Sequence, residues 1–221
     1  MFKHIAGAVI VAVGLGTAVA QAGPSTFTYE VTITNVTLAE SFTPLLAVTH
    51  SSEIQLFTPG DAASGPLAEM AEGGDIGPLR ALAEGAPDLV AGTEATSGLL
   101  TPGKSVTLRV ATRPGFDRLS LVGMLIPTND TFLGVNSIEL PQTPGEVTIM
   151  AVAYDSGSEP NDELCANIPG PACGGVGSSP NAGGEGFVYV SNGIHGIGDL
   201  EASKYDWRNP VAAVVIRRVG R

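Results

Sequence analysis

Five carboxylates and two cysteines in this chain have the types and spacing for shared chemistry. Asp130 closes the segment Pro127-Thr-Asn-Asp130, and four more acids crowd into Asp155-Ser-Gly-Ser-Glu159-Pro-Asn-Asp162-Glu163. Carboxylates gathered in one place repel one another unless a cation sits among them. Hard oxygen ligands on loops suit Ca²⁺ best and Mg²⁺ second. The alternative is a set of solvated loop carboxylates that only help solubility. Cys165 and Cys173 are the sole cysteines. Their spacing is not C-x-x-C and no nearby His completes a zinc set, so a disulfide closing a short Gly/Pro-rich loop is expected.

Asp130 meets the second acidic segment only if the chain between them folds back twice. The residues support this. Leu119–Ile126, Phe132–Leu140 and Val147–Tyr154 are three β-rich runs, separated by Pro127-Thr-Asn-Asp130 and Pro141-Gln-Thr-Pro-Gly145. Such punctuation reads as consecutive strands. In an up-down-up meander the first and third strands point the same way, and their trailing loops share one end of the sheet. Two histidines follow the N-terminal segment. His50 ends an apolar run and reads as a structural hydrogen-bonding residue. His195, with Asp199 in Asn192-Gly-Ile-His-Gly-Ile-Gly-Asp-Leu200, is a possible secondary polar site; the competing reading is a loop folded around Trp207.

The segment Met124-Leu-Ile-Pro-Thr-Asn-Asp-Thr-Phe-Leu-Gly134, followed by Ala153-Tyr-Asp-Ser-Gly-Ser-Glu159, resembles the spondin N-terminal domain family, the F-spondin-like domain that also occurs in secreted bacterial proteins. Phe42–His50 and Leu56–Gly60 resemble it more weakly. The resemblance implies an antiparallel β-sandwich. It also implies a calcium site whose ligands fall on Asp130, Asp155 and Glu159, with Glu159 standing where the family has Asp. A role at the cell surface or in extracellular matrix, with a protein or glycan partner, is implied in the same way.

The rest of the chain fits a mainly β fold. Gly numbers 29 and Pro 16 in 221 residues, and aromatics are 5%, a turn-rich composition. Phe27-Thr-Tyr-Glu-Val-Thr-Ile-Thr34 alternates as a half-buried strand, with Phe27, Tyr29, Val31 and Ile33 inward. Leu45–His50, Ile54–Phe57, Ser105–Ala111, Phe187–Val190 and Pro210–Ile216 are further strand candidates. Pro66–Glu72 and Pro78–Glu84 read as two short helices inserted between strands, with Pro in the first turn and Gly at the end, capping one end of the sandwich. Residues 159–186 read as a long Gly/Pro-rich loop.

The first 22 residues read as a signal peptide. Lys3 and His4 precede an apolar run, and Ala20-Gln21-Ala22 is an A-x-A cleavage site, leaving a domain over 23–221. No other run approaches about 18 apolar residues, so no membrane span is expected after cleavage. A formal charge of -11 argues against nucleic acid, whose phosphates need Lys and Arg. No G-x-S-x-G elbow is present. The expectation is therefore a secreted or periplasmic, non-enzymatic, Ca²⁺-binding module. A polysaccharide- or small-ligand-binding module is the second reading and a hydrolase the third.

Overall fold

The computed structural model describes residues 26–179 and 183–220. The expected signal peptide lies outside the described residues.

Alternation in the first strand positions everything else. Tyr29, Val31 and Ile33 of β1 (Phe27–Asn35) are buried, while Thr28, Glu30, Thr32 and Thr34 are only partly covered. The outward side chains pair across strands. Thr32 Oγ1 lies 2.8 Å from Thr107 Oγ1, and Glu30 takes Arg109 at 2.8 Å and Arg217 at 2.6 Å. Such exposed pairs contribute little individually, but they set register.

The strands follow in the order β2 (Ser41–Phe42), β3 (Leu46–His50), β4 (Val90–Ala95), β5 (Ser105–Thr112), β6 (Arg118–Ile126), β7 (Thr131–Glu139), β8 (Glu146–Asp155), β9 (Tyr189–Val190) and β10 (Ala212–Gly220). All pairings are antiparallel, and the spatial order is β4-β3-β6-β7-β8-β10-β1-β5, with β2 beside β6 and β9 beside β8. The expected sandwich is thus one sheet that curls nearly into a barrel. Its two edges, β4 and β5, come to lie against each other. Thr49 helps to join them: its hydroxyl, carried by β3, donates to the Ala111 carbonyl of β5 at 2.8 Å. Near-closure leaves few unpaired backbone groups for another chain to pair with.

Strand β6 is buried almost throughout because both of its faces are covered. Leu119, Leu121 and Leu125 face the barrel interior with Tyr29, Ile33 and Ile216. Val122, on the other face, joins Phe132, Leu46 and Val48 under the helices α1 (Gly65–Gly73) and α2 (Gly77–Glu84). Ser64 caps α1, accepting from Leu67 N, and Gly74 ends it at φ 71°. The two helices therefore clad the outer face of β3, β6 and β7 rather than an end of the sheet.

Three strand boundaries differ from those the sequence suggests. Ile54–Phe57 is not a strand; Phe57 turns into the helix-covered cluster, edge-on to Phe132 with ring centroids 5.1 Å apart. Val90–Ala95 is a strand that no apolar alternation announces. The run at Phe187–Val190 contributes only Tyr189 and Val190.

Candidate functional site

The meander brings its trailing loops to one pole. In β8 the buried side chains are Ala151, Ala153 and Asp155, so the alternation that fills the barrel ends on a carboxylate facing the same way. Thr131 pairs with Asp155, which sets Asp130 directly beside Ser156. The Ser156 N–H donates to the Asp130 carbonyl at 3.2 Å.

Asp130 is fully buried and its two oxygens are treated differently. Oδ2 accepts from Ser156 Oγ at 2.8 Å, Ser158 N at 2.9 Å and Glu159 N at 3.1 Å. Among the described residues Oδ1 has no hydrogen-bond partner. Asp155 accepts from Gly157 N at 2.8 Å and from Asn161 Nδ2 at 2.8 Å. Gly157 is required here: its φ is 65°, and a Cβ would stand 2.3 Å from the Phe187 carbonyl oxygen. Glu159 is 2% exposed; among the described residues no donor meets hydrogen-bond geometry at either carboxylate oxygen, although Ser179 lies close enough to lower its pKa.

The electrostatics follow from that burial. Desolvation raises the Asp130 carboxyl above its usual range, against the pull of its N–H and O–H donors. Desolvation, then the Asp130 charge, pushes Asp155 up to about 7. Glu159 is pushed up to about 7, first by burial and then by the charges of Glu72, Asp130 and Asp162. Burial raises the Tyr189 hydroxyl too, aided by Asp155 and Glu185.

Asp162 and Glu163 reach the same region but serve the backbone. Asp162 accepts from Asn129 Nδ2 at 3.0 Å, Leu164 N at 2.9 Å and Asn167 Nδ2 at 2.6 Å, which starts the 3₁₀ turn Cys165–Asn167. The Glu163 carboxylate receives three successive N–H groups, from His195 at 2.6 Å, Gly196 at 2.7 Å and Ile197 at 2.9 Å. The His195 ring is half exposed and stands 3.9 Å from Glu163. Asp199 accepts from Cys165 N at 2.9 Å. His195 and Asp199 thus each bind a different part of the 162–165 segment, and Trp207 is buried in the main core beneath their loop. His50 is fully buried, with Nδ1 2.7 Å from the Ser51 carbonyl and Nε2 2.8 Å from Ser120 Oγ. A ring that donates to a carbonyl and accepts from a hydroxyl is neutral, as its lowered pKa, caused first by burial, agrees.

The expected disulfide between Cys165 and Cys173 is present. It closes the loop that Asp162 and Asp199 anchor. Replacing both cysteines with serine is expected to cost about 2–3 kcal/mol, by the chain-entropy argument for short loops. The urea midpoint measures this; an unchanged midpoint would show that the side-chain anchors alone hold the loop.

The pole suits a hard cation in its donors. Among the described residues three buried oxygens, Asp130 Oδ1 and both of Glu159, lack partners, and Glu159 lines a cavity of about 220 Å³ with Asn129, Asp162, Asn167 and Ser179. Among the described residues, no three Asp, Glu, His or Cys side chains are already drawn together at metal-ligand spacing. Asp130 is tied to the Glu159 backbone, and of the three carboxylates Glu159 lines the cavity while Asp130 and Asp155 do not. Sequence reasoning missed Ser156, Ser158 and Asn161, whose donors hold Asp130 and Asp155, and it missed Glu72, which reaches this pole from α1.

A mainly β domain with an acidic pole is what this architecture defines. The Spondin_N family model matches residues 27–161, more than half of the chain, and the protein belongs to the spondin N-terminal domain family. No curated protein matches the chain. The match ends at Asn161, yet the fold does not: β10 pairs with both β1 and β8. Family and disulfide together agree with an extracellular protein. Among the described residues no helix is long and apolar enough to cross a membrane.

Proposed function

We propose that the protein is a secreted or periplasmic binding module whose pole holds Ca²⁺ between Asp130, Asp155 and Glu159, and that it contacts a protein or glycan at a cell surface or in extracellular matrix. The observation that carries the cation is the set of three buried carboxylate oxygens that have no partner among the described residues. Leaving such groups unpaired costs free energy that a hard cation offsets. All the donors are carboxylate oxygens, from loops and from the end of β8, which favours Ca²⁺ over softer metals. When bound, the ion supplies a positive centre that can also take hydroxyl or carboxylate oxygens of a partner. The burial of His50 and its two structural hydrogen bonds support binding rather than acid–base catalysis.

The test is thermal unfolding in Ca²⁺, in Mg²⁺ and in chelator. At about 100 times its Kd, a ligand of the folded state alone adds about 2.7 kcal/mol. For a domain of this size that is a rise of roughly 5–10 °C. Asp130→Asn keeps an acceptor for Ser158 and Glu159 N–H but removes the charge, so the rise should vanish while the fold persists. A wild type indifferent to millimolar Ca²⁺ sinks the cation reading.

A further inference from the structure

Between α2 and the 54–56 segment the protein has a cavity of about 210 Å³. Its walls are apolar for a reason visible in the chain. Leu79 and Ala83 stand one turn apart on α2 and both are buried. Ile54 and Leu56 face them from a stretch that belongs to no strand. Ala83 and Ala86 carry only methyl groups, which leaves the space between these walls open. Leu82 lines the cavity too and is 58% exposed. A lone exposed leucine means little, but this one continues an apolar lining from the interior to the surface.

Gln55 and Ser64 are the two polar side chains of that lining, and each has its acceptor engaged. Gln55 Oε1 accepts from Asn136 Nδ2 at 3.2 Å, and Ser64 Oγ accepts from Leu67 N at 3.3 Å as the cap of α1. What they can still offer is donors, an amide N–H and a hydroxyl. The lining holds no charged side chain. The charged residues adjoining it in sequence are Glu53, Arg80, Glu84 and Asp88, and Arg80 pairs with Glu84 at 2.7 Å, so the surplus is negative. A carboxylate entering here would lose water and meet no cation.

We propose that this cavity binds an acyl chain of about six to eight carbons with a neutral acceptor head, an ester or amide carbonyl, since an apolar cavity of about 150 Å³ already holds benzene. The chain lies between α2 and 54–56, and the carbonyl meets the Gln55 and Ser64 donors. The site shares no lining residue with the cavity of the acidic pole and stands independently of the cation reading. The helical insert is then a binding element in its own right as well as a cover for the sheet.

The experiment is NMR titration of the isotope-labelled protein in chelator, which keeps the cation pole out of the result. The probes are methyl hexanoate and hexanoate, which share a chain and differ in the charge of the head. Methyl hexanoate is expected to shift the amide signals of 54–56 and 79–90 saturably at millimolar concentration or below. Hexanoate should bind at least about tenfold more weakly. Ala86→Leu fills the cavity and should abolish binding. Leu82→Gln, at an exposed position on the helix, should keep the fold and weaken binding about threefold to tenfold. A protein silent to methyl hexanoate overturns the proposal. So do shifts that survive both substitutions, and so does hexanoate bound as tightly as its ester.

Discussion

Glu40→Leu is expected to make the protein more stable than wild type by about 2–3 kcal/mol, a rise of roughly 5–10 °C in thermal midpoint. In the stretch Ala39-Glu-Ser-Phe42, Glu40 and Phe42 are buried while Ala39 and Ser41 are only partly covered. The carboxyl therefore faces the interior with Phe42. Among the described residues neither oxygen has a hydrogen-bond partner, and burial pushes the group up to about 9. It is neutral at pH 7, yet still carries a donor and an acceptor with nothing to meet them. Leucine has similar volume and no polar atoms, so the substitution removes an uncompensated desolvation cost.

The pH dependence gives this prediction a signature of its own. Unfolded, the group titrates near 4.3. Between about 4 and about 9 the folded protein keeps a proton that the unfolded chain has lost, so stability falls as pH rises across that window. Glu40→Leu and Glu40→Gln should both lack that slope, while only Glu40→Leu also removes the unmet polar atoms. If Glu40→Leu is less stable than wild type at pH 8, the carboxyl has a buried partner and the argument fails.

Ca²⁺ binding is expected to displace protons below neutral pH and to weaken steeply on acidification. Asp155 and Glu159 titrate near 7 in the folded chain and near 4 when unfolded. Without a cation, the folded state therefore holds protons between about 4 and about 7 that the unfolded state does not, and stability declines as pH rises through this range. His50 works in the opposite sense: its folded pKa is lowered, so its contribution is lost as pH falls through about 6.5. A cation needs the carboxylates charged, so it reverses the decline. Below pH 7 the affinity should drop by up to about tenfold per pH unit for each proton displaced. Calorimetry at pH 6 in two buffers of different ionisation enthalpy measures the protons released, best on a Glu40→Gln background. An observed enthalpy independent of the buffer would mean that the pole carboxylates are already charged and that their burial has been misjudged.

The meander was legible because its signals are local. Proline and glycine interrupt three β-rich runs, and Ala151-x-Ala153-x-Asp155 carries the inward alternation to the carboxylate itself. The shared pole then follows from strand direction alone. What the residues did not disclose depends on partners remote in sequence. Val90-Ala-Gly-Thr-Glu-Ala95 has no apolar face; it is a strand because β3 offers a free edge. Ile54–Phe57 has strand-like residues, but Phe57 is worth more packed on Phe132 and Tyr154 than in a ladder. Glu72 reads as the polar side of a short helix until the loop at Ser179 covers it. Asp162 and Glu163 look like Asp155 and Glu159 in sequence, and only the remote donors tell them apart: Glu163 gathers three N–H groups from 195–197 and Asp162 the amides of Asn129 and Asn167.

Strand β10 has a consequence for how the protein is made. It lies between β8 and β1, so the β1–β5 pair has no neighbour in the sheet on that side until residues 212–220 exist. The earliest strand of the fold waits for the latest one. A ribosome releasing this chain in order cannot let the barrel close ahead of time, and pairings so far apart in sequence form slowly in any case. The β1–β5 pair accordingly stays unjoined to β8 until β10 is made. For any chain that must pass a pore admitting only extended polypeptide, closure delayed in this way removes one folded obstacle.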